Sequence, residues 1–390
     1  MPPTATPEYH HTPLAQVRHR VLAGQPLPFN VYRPDTTLLL ARGQVLHDPR
    51  QIEALFERGS LVDLHELRAL AGANPAAEVR SAPREALPGL WRDGMARVGE
   101  VLRRPQAEGF RAALDDAAAP LQALIERDPD LAIFQVLRQE GSARVQYGLN
   151  HSVHSAIVAR LVAGRLGWAE ADLQRAFKAA LTMNVAMLEL QGQLAEQLTP
   201  PTAAQRAQIL AHPRRGRELL ELAGVTDADW LLAVEQHHEE RDGSGYPAGL
   251  REPAELATLL HRADVYCAKL SSRATRDAEP ADRAGREIFM QDPGHPVCAA
   301  LVKEFGVYPP GCFVTLASGE TGVVVQRGKT VMTPIVAALT NPYGAPLREP
   351  VRRDTMMPLH AIVGVLPARQ MRAPVALERL VTLDTAASPA

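Results

Sequence analysis

The run His237-His238-Glu239-Glu240-Arg241-Asp242-Gly243-Ser244-Gly245-Tyr246-Pro247 places two imidazoles, several carboxylates and a glycine-rich turn within eleven residues. Adjacent side chains on one helix diverge by about 100°. On a helix, His237 and His238 would therefore serve two metal ions, or one metal and one substrate oxygen. Gly243 and Gly245 permit positive φ and Pro247 fixes its own, which predicts a tightly shaped loop after the helix. Asp242 is expected to orient a histidine or cap this loop rather than act as a general base. A polar helix end on the surface is the competing reading, and it does not account for the length and order of the pattern.

The run resembles the signature of the HD-GYP family, metal-dependent phosphodiesterases that open the bacterial second messenger cyclic di-GMP. The likeness extends from about Asp128 to Phe305. His151 opens His-Ser-Val-His-Ser-Ala-Ile-Val-Ala, which is similar to the family's first metal-ligand helix. His212-Pro213 matches the next histidine position, ahead of a helix ending near Leu222. His237 and His238 match the paired histidines, and Asp264 in Arg-Ala-Asp-Val-Tyr-Cys-Ala matches the last carboxylate ligand. Arg273 matches a basic residue near the substrate phosphate. The resemblance implies metal ligands at His151, His212, His237, His238 and Asp264. It also implies a substrate and loop region of Asp242, Gly243, Gly245, Tyr246, Pro247 and Arg273, and a loop able to dock diguanylate cyclase (GGDEF) domains.

One segment departs from the family. Where its members read His-Asp-x-x-Lys, this chain aligns without a gap and has Met183, Asn184 and Met187. In the family the aspartate bridges two metals, the histidine completes one of them, and the lysine lies beside the substrate phosphate. Methionine is a soft, neutral ligand ill suited to iron, manganese or magnesium. Asparagine offers one uncharged carbonyl oxygen, a poor bridge between dications. Losing a residue that merely supports a ligand costs about 10–100-fold in metal affinity, so losing the bridge itself should cost more. His212, His237 and His238 remain as an all-imidazole cluster, with His151 and Asp264 on the other side. Three histidines can hold one transition metal with an open position and bring a bound water toward a pKa of about 7. The resemblance thus implies a degenerate member with one divalent transition metal, iron or manganese, or none. It binds cyclic di-GMP or a partner with weak or no hydrolysis. The alternative is an active phosphodiesterase with a reduced metal site.

These residues need helices to position them. Apolar residues recur at three- and four-residue spacing from Leu87 to Leu102, Phe110 to Ile125, Leu131 to Leu137, Val153 to Leu166 and Leu173 to Leu190, as on buried helix faces. The last stripe places Met183 and Asn184 inside a helix, where methionine also serves as core filler. His154 is expected to be a hydrogen-bonded, partly buried side chain. His261 is expected to support the site or cap the helix surface, and His10 and His11 to be uninvolved.

Ahead of the helices, alternation over 29–32 and 38–41 around Arg33-Pro34-Asp35-Thr36 predicts two strands and a turn. Arg50 to Arg58 reads as a short helix closed by Gly59. Beyond Phe305, Cys312–Leu316 and Thr321–Gln326 read as a hairpin with a four-residue turn. The expected fold is mainly α. It has an α+β module over 1–70, a linker over 71–84, an HD-type helical bundle over 85–305, a β-rich and barrel-like module over 306–383, and a tail over 384–390.

Composition sets the limits. The 390 residues are 46% hydrophobic and 22% charged with net charge −2, ordinary for a globular chain of two or three domains. With a pI near 6.7, no bulk electrostatic attraction to nucleic acid or membrane is expected. Cys267, Cys298 and Cys312 are too scattered for a disulfide framework. The N-terminus lacks a secretory pattern and no run of about 18 apolar residues occurs. A reducing cytoplasm is the expected setting.

Overall fold

The computed structural model describes residues 11–14, 17, 20–63, 66, 75–138, 146–367, 370, 371, 377–381 and 383. The expected tail and His10 lie outside these residues. The chain forms two compact units, Met1–Ser81 and Ala82–Ala390.

In the first unit, β1 (His11–Pro13), β2 (Val31–Tyr32), β3 (Leu38–Leu40) and β4 (Leu61–Asp63) make an antiparallel sheet of order β1-β4-β2-β3. Helix α1 (Pro49–Glu57) begins with Pro49, and the Asp48 carboxylate accepts the Arg50 N–H, which satisfies one of the exposed donors of the first turn. Gly59 ends it at φ +66°. Leu14, Leu27, Phe29, Val31, Ile52, Leu55 and Val62 form the core between sheet and helix. His11 meets Tyr32 edge-on at 4.9 Å. The linker expectation is corrected in part, because Pro75–Ser81 is helix α2 with Ala76 and Val79 buried. Residues 71–74 lie outside the described ones.

The second unit carries α3 (Leu87–Leu102), α4 (Phe110–Arg127), α5 (Pro129–Leu137), α6 (Tyr147–Arg165), α7 (Glu170–Thr182), α8 (Leu188–Glu196) and α9 (Ala203–Leu222). After these come α10 (Ala228–Gln236), α11 (Glu255–Leu270), α12 (Ala281–Gln291) and α13 (Pro296–Phe305). Helix α6 is the hub and packs against α7, α8, α11 and α13. It is buried on every face from Gly148 to Ala163 apart from Asn150 and Leu161, the mark of a helix enclosed by others. Gly148 lets α6 approach the start of α8, since a Cβ there would lie 2.4 Å from the Leu188 carbonyl oxygen. Among the described residues, no helix is long and apolar enough to cross a membrane.

One helix expectation is wrong. The stripe from Leu173 to Leu190 is two helices, and Met183 and Asn184 occupy the break. The Thr182 hydroxyl bonds back to the Lys178 carbonyl at 2.8 Å and accepts the Trp230 indole N–H at 2.9 Å. Asn184 then leaves the helical path at φ −102° and ψ 12°, and a 3-10 turn follows. The apolar period runs on past the break, so tertiary contacts rather than pattern decide it.

Strands β5 (Phe313–Leu316), β6 (Thr321–Gln326), β7 (Ile335–Thr340), β8 (Pro346–Asp354) and β9 (Ile362–Leu366) form an antiparallel sheet of order β8-β7-β6-β5-β9. The barrel-like expectation is corrected, because no pairing of β8 with β9 closes the sheet among the described residues. Nor does this sheet stand apart from the helices. Phe134 of α5 packs with Phe313, Val323, Ala337, Leu339 and Leu380 in one cluster. Arg327 pairs with Asp130 of α5 and, at 2.6 Å, with Glu304 of α13.

Candidate metal centre

One helix interior and one helix end bring the histidines together. His212 lies inside α9, just before Pro213, rather than ahead of a helix. His237 caps the C-terminus of α10 and His238 follows it. The expected 100° divergence therefore does not apply, because the chain has left the helix; the two rings sit 4.2 Å apart, tilted by 42°. The ligating nitrogens of His212, His237 and His238 all lie within 4.8 Å of one another.

Their hydrogen bonds fix the tautomers. Nδ1 of His212 donates to the Ile209 carbonyl at 2.6 Å, and Nδ1 of His237 to the Val234 carbonyl at 2.7 Å. Each Nε2 is then left with a lone pair, and the two Nε2 atoms face one another at 3.1 Å. Burial lowers the pKa of His212 and, more strongly, of His237. It pushes His238 down to about 3. Neutral rings with converging lone pairs repel unless a cation lies between them, and neutral imidazole is the metal-binding form. The donor set therefore fits one transition metal, and its backbone-anchored Nδ1 atoms are the usual support for such ligands.

The other side of the pocket is built differently. Asp264, on α11, accepts a hydrogen bond from Nε2 of His151 at 2.7 Å and from the Asn184 side-chain amide at 3.2 Å, both through Oδ1. Flipping the Asn184 amide would oppose its oxygen to a carboxylate oxygen, so the NH2 assignment stands. Burial alone would raise the Asp264 pKa. The charge and hydrogen bond of His151, with His238 and His237 nearby, outweigh it and hold the group well below the carboxylate range. Two N–H donors thus converge on one oxygen of this carboxylate. Met183 is fully buried beside the break, and Met187 is half-buried.

The remaining predicted residues divide into shape and rim. Arg273 is exposed; its guanidinium donates to the Tyr147 hydroxyl at 3.1 Å. Tyr147 in turn stacks on His151 with planes 4° apart. Sequence reading missed Tyr147, although it stands four residues before His151 on one helix face. Tyr246 stacks on His238 at 4.7 Å, and its peptide bond to Pro247 is cis. Gly243 adopts φ +83°. A Cβ on Gly245 would fall 2.3 Å from the Glu240 nitrogen and 2.5 Å from the His238 oxygen, so only glycine fits. Asp242 is exposed and caps the loop by accepting the Ser244 N–H and hydroxyl; among the described contacts it orients no histidine.

Glu239 does more for the loop than sequence reading assigned to it. Its buried carboxylate accepts the Ala248 N–H at 2.7 Å and the Leu250 N–H at 2.8 Å. His261 supports the site through the His237 carbonyl, 2.8 Å from its Nδ1, and pairs with Glu240 at 2.9 Å. His154 is fully buried, not partly, and its Nδ1 has no hydrogen-bond partner among the described residues.

Residues 135–284, which hold the whole pocket, match the HD domain family model. The chain is 29% identical over 269 residues to the cyclic di-GMP phosphodiesterase PA4108 of Pseudomonas aeruginosa, covering 67% of this chain and 61% of that one. It is 29% identical over 184 residues to the 3'3'-cGAMP-specific phosphodiesterase 3 of Vibrio cholerae, covering 43% and 37%. The chain thus spans less than two thirds of the length of these relatives. Among solved structures it is similar to Bd1817, a HDG"Y"P protein from Bdellovibrio bacteriovorus. The TM-score is 0.50 at 18% identity, covering 75% of this chain and 97% of that one, a likeness of fold.

Proposed function

The chain belongs to the HD-GYP family, and from that premise we propose that it acts in bacterial cyclic di-GMP signalling as a degenerate member. In this reading it binds cyclic di-GMP or a protein partner and hydrolyses the nucleotide weakly or not at all. The observation that carries the reading is the hydrogen bond from the Asn184 amide to Asp264. It supplies a neutral donor where a two-metal centre needs an anionic bridge.

His212, His237 and His238 would hold a single divalent transition ion, for which the family resemblance implies iron or manganese. When bound, that ion supplies Lewis acidity and a water of lowered pKa. The chain's own residues do the rest. Tyr246, held against His238 by the loop, closes one wall of the pocket. Arg273, propped on Tyr147, offers a guanidinium at the rim where a phosphate would enter. With Met187 in place of a cation and no bridging carboxylate, little remains to orient an attacking oxygen. The Gly-Tyr-Pro loop is the natural docking surface for a diguanylate cyclase domain.

The single intact imidazole cluster favours one second reading, residual one-metal hydrolysis of a cyclic dinucleotide. Both readings are tested on the purified full chain by elemental analysis, calorimetric titration with cyclic di-GMP and chromatographic assay of its hydrolysis. Expected are no more than one ion per chain and binding without appreciable turnover. Met183→His combined with Asn184→Asp should raise the metal content and the hydrolysis. Two firmly held ions and rapid hydrolysis in the native chain would refute the degenerate reading.

A further inference from the structure

The face of the C-terminal sheet that packs on α5 carries one charge that nothing answers. Arg352 of β8 stands opposite Ala337 of β7, and Ala337 stands opposite Val323 of β6. Directly opposite residues of paired strands point to the same face. Arg352 therefore shares the face of Val323 and Ala337, which pack with Phe134 of α5. It is half-buried, and its guanidinium has no hydrogen-bond or ion-pair partner among the described residues. Its neighbour Arg353 points to the other face and is paired with Glu320 at 2.7 Å. A cation against an apolar face costs free energy unless an anion meets it.

Arg352 borders a cavity of about 60 Å³, walled by Leu131 and Phe134 of α5, by Val325 and Ile335 of the sheet, and by Leu380. Leu380 belongs to a short helix, α14 (Leu377–Leu380). Arg379 fastens that helix to β8 through the Arg348 carbonyl at 3.0 Å and the Glu349 carboxylate at 3.1 Å. A second polar group reaches the cavity through an irregularity in the sheet. The pairing of β6 with β7 skips Val325, between Val324 and Gln326. Regular pleating would send Val325 and Gln326 to opposite faces, whereas this bulge lets both line the cavity. The Gln326 side-chain amide is also without a partner among the described residues. The other charged groups at the cavity are matched: Arg84 with Asp128 at 3.1 Å, and Asp130 with Arg327.

We propose that this cavity binds a short-chain aliphatic monocarboxylate, with its carboxylate held by Arg352 and Gln326 and its hydrocarbon part between α5 and α14. A guanidinium offers a carboxylate two parallel N–H donors, and the Gln326 amide adds a third. The apolar walls select hydrocarbon for the remainder, because a second polar group there would lose its water without gaining a partner. Size follows from the space. A water-sized group needs about 10–15 Å³, so about four to six heavy atoms fit inside. No residue of the histidine cluster lines this cavity, so the site is separate from the metal pocket.

The probe is isovalerate, titrated into the full chain with isotope label in its methionine methyl groups. Met371 packs against the same core cluster, and Met371→Leu assigns its resonance. Isovalerate should shift that resonance saturably. Isopentyl alcohol, of the same shape without the charge, should bind at least about tenfold more weakly, since it forfeits the charged hydrogen bonds. Arg352→Met should weaken isovalerate at least about tenfold and leave the alcohol unaffected. Arg348→Met, at an exposed arginine of the same strand that does not line the cavity, should alter neither. Circular dichroism confirms that each variant is folded. The inference is overturned if isovalerate leaves the Met371 resonance in place, if the alcohol binds as tightly, or if Arg352→Met retains native affinity. It is equally overturned if Arg348→Met weakens isovalerate as much as Arg352→Met, the mark of a general attraction to surface cations.

Discussion

Asn184 shows how far one uncharged group can change a site. Its amide donates to the same Asp264 oxygen that accepts His151. Asn184→Asp would place two carboxylates where one donor and one acceptor now meet, and like charges at that distance repel. Without added metal this variant should melt below native. With manganese or iron at about 100 times its dissociation constant, it should gain about 2.7 kcal/mol, a larger rise than native shows; differential scanning fluorimetry reads both. His238 sets an acid limit. In the unfolded chain it titrates near its ordinary 6.5, whereas burial lets the folded chain take up that proton only at about pH 3. The unfolded state therefore binds more protons between those values, and metal-free stability should fall as pH drops through that window; urea titrations at stepped pH measure it. Glu239 matters through shape. Glu239→Ala would leave the Ala248 and Leu250 N–H groups without their acceptor and cost about 2 kcal/mol. Hydrogen exchange at those two amides should accelerate before the helices are affected.

At the level of elements, the Gly-Tyr-Pro loop is the most constrained piece. Gly245→Ala would drive a Cβ into main-chain atoms of residues 238–240, so the loop must reopen. Tyr246 would then lose its stack on His238, and nucleotide binding by calorimetry should weaken at least about tenfold, while the helical circular dichroism stays near native. The sequence announced this loop, because glycines and a proline at fixed offsets specify turns through their own backbone chemistry. Most helices were equally legible, since a buried face repeats every three or four residues. The break after Thr182 was not. The period continues across it, and what marks the end of α7 is a long-range contact, the Trp230 indole from α10 bonding its last hydroxyl. Residues 75–81 misled in the opposite direction: their alanine and proline content reads as linker, yet Pro75 suits a helix start and the alanines suit its interior. The five candidate ligands were found by family likeness. Their division into an imidazole cluster and the pair His151 and Asp264 came from the same likeness, but the hydrogen bonds that join His151 and Asn184 to Asp264 link residues as far apart as 151 and 264, which no local pattern encodes.

Across the whole second unit, the C-terminal sheet belongs to the same core as the helices. Phe134, only 3% exposed, is covered by Phe313, Val323, Ala337 and Leu339. Arg327 ties the sheet to Asp130 and Glu304. A chain ending at Phe305 should therefore lose its cooperative melt and bind the dye ANS, whereas removal of a separate module would change neither. Fit and chemistry are nonetheless carried by different residues. Gly245 is wedged by the main chain of 238–240 and Glu239 anchors the far side of the loop, while positions 183 and 184 lie in another segment of the fold. On the proposed reading, changes confined to the latter pair would quiet hydrolysis and still present an unaltered contour to whatever reads it.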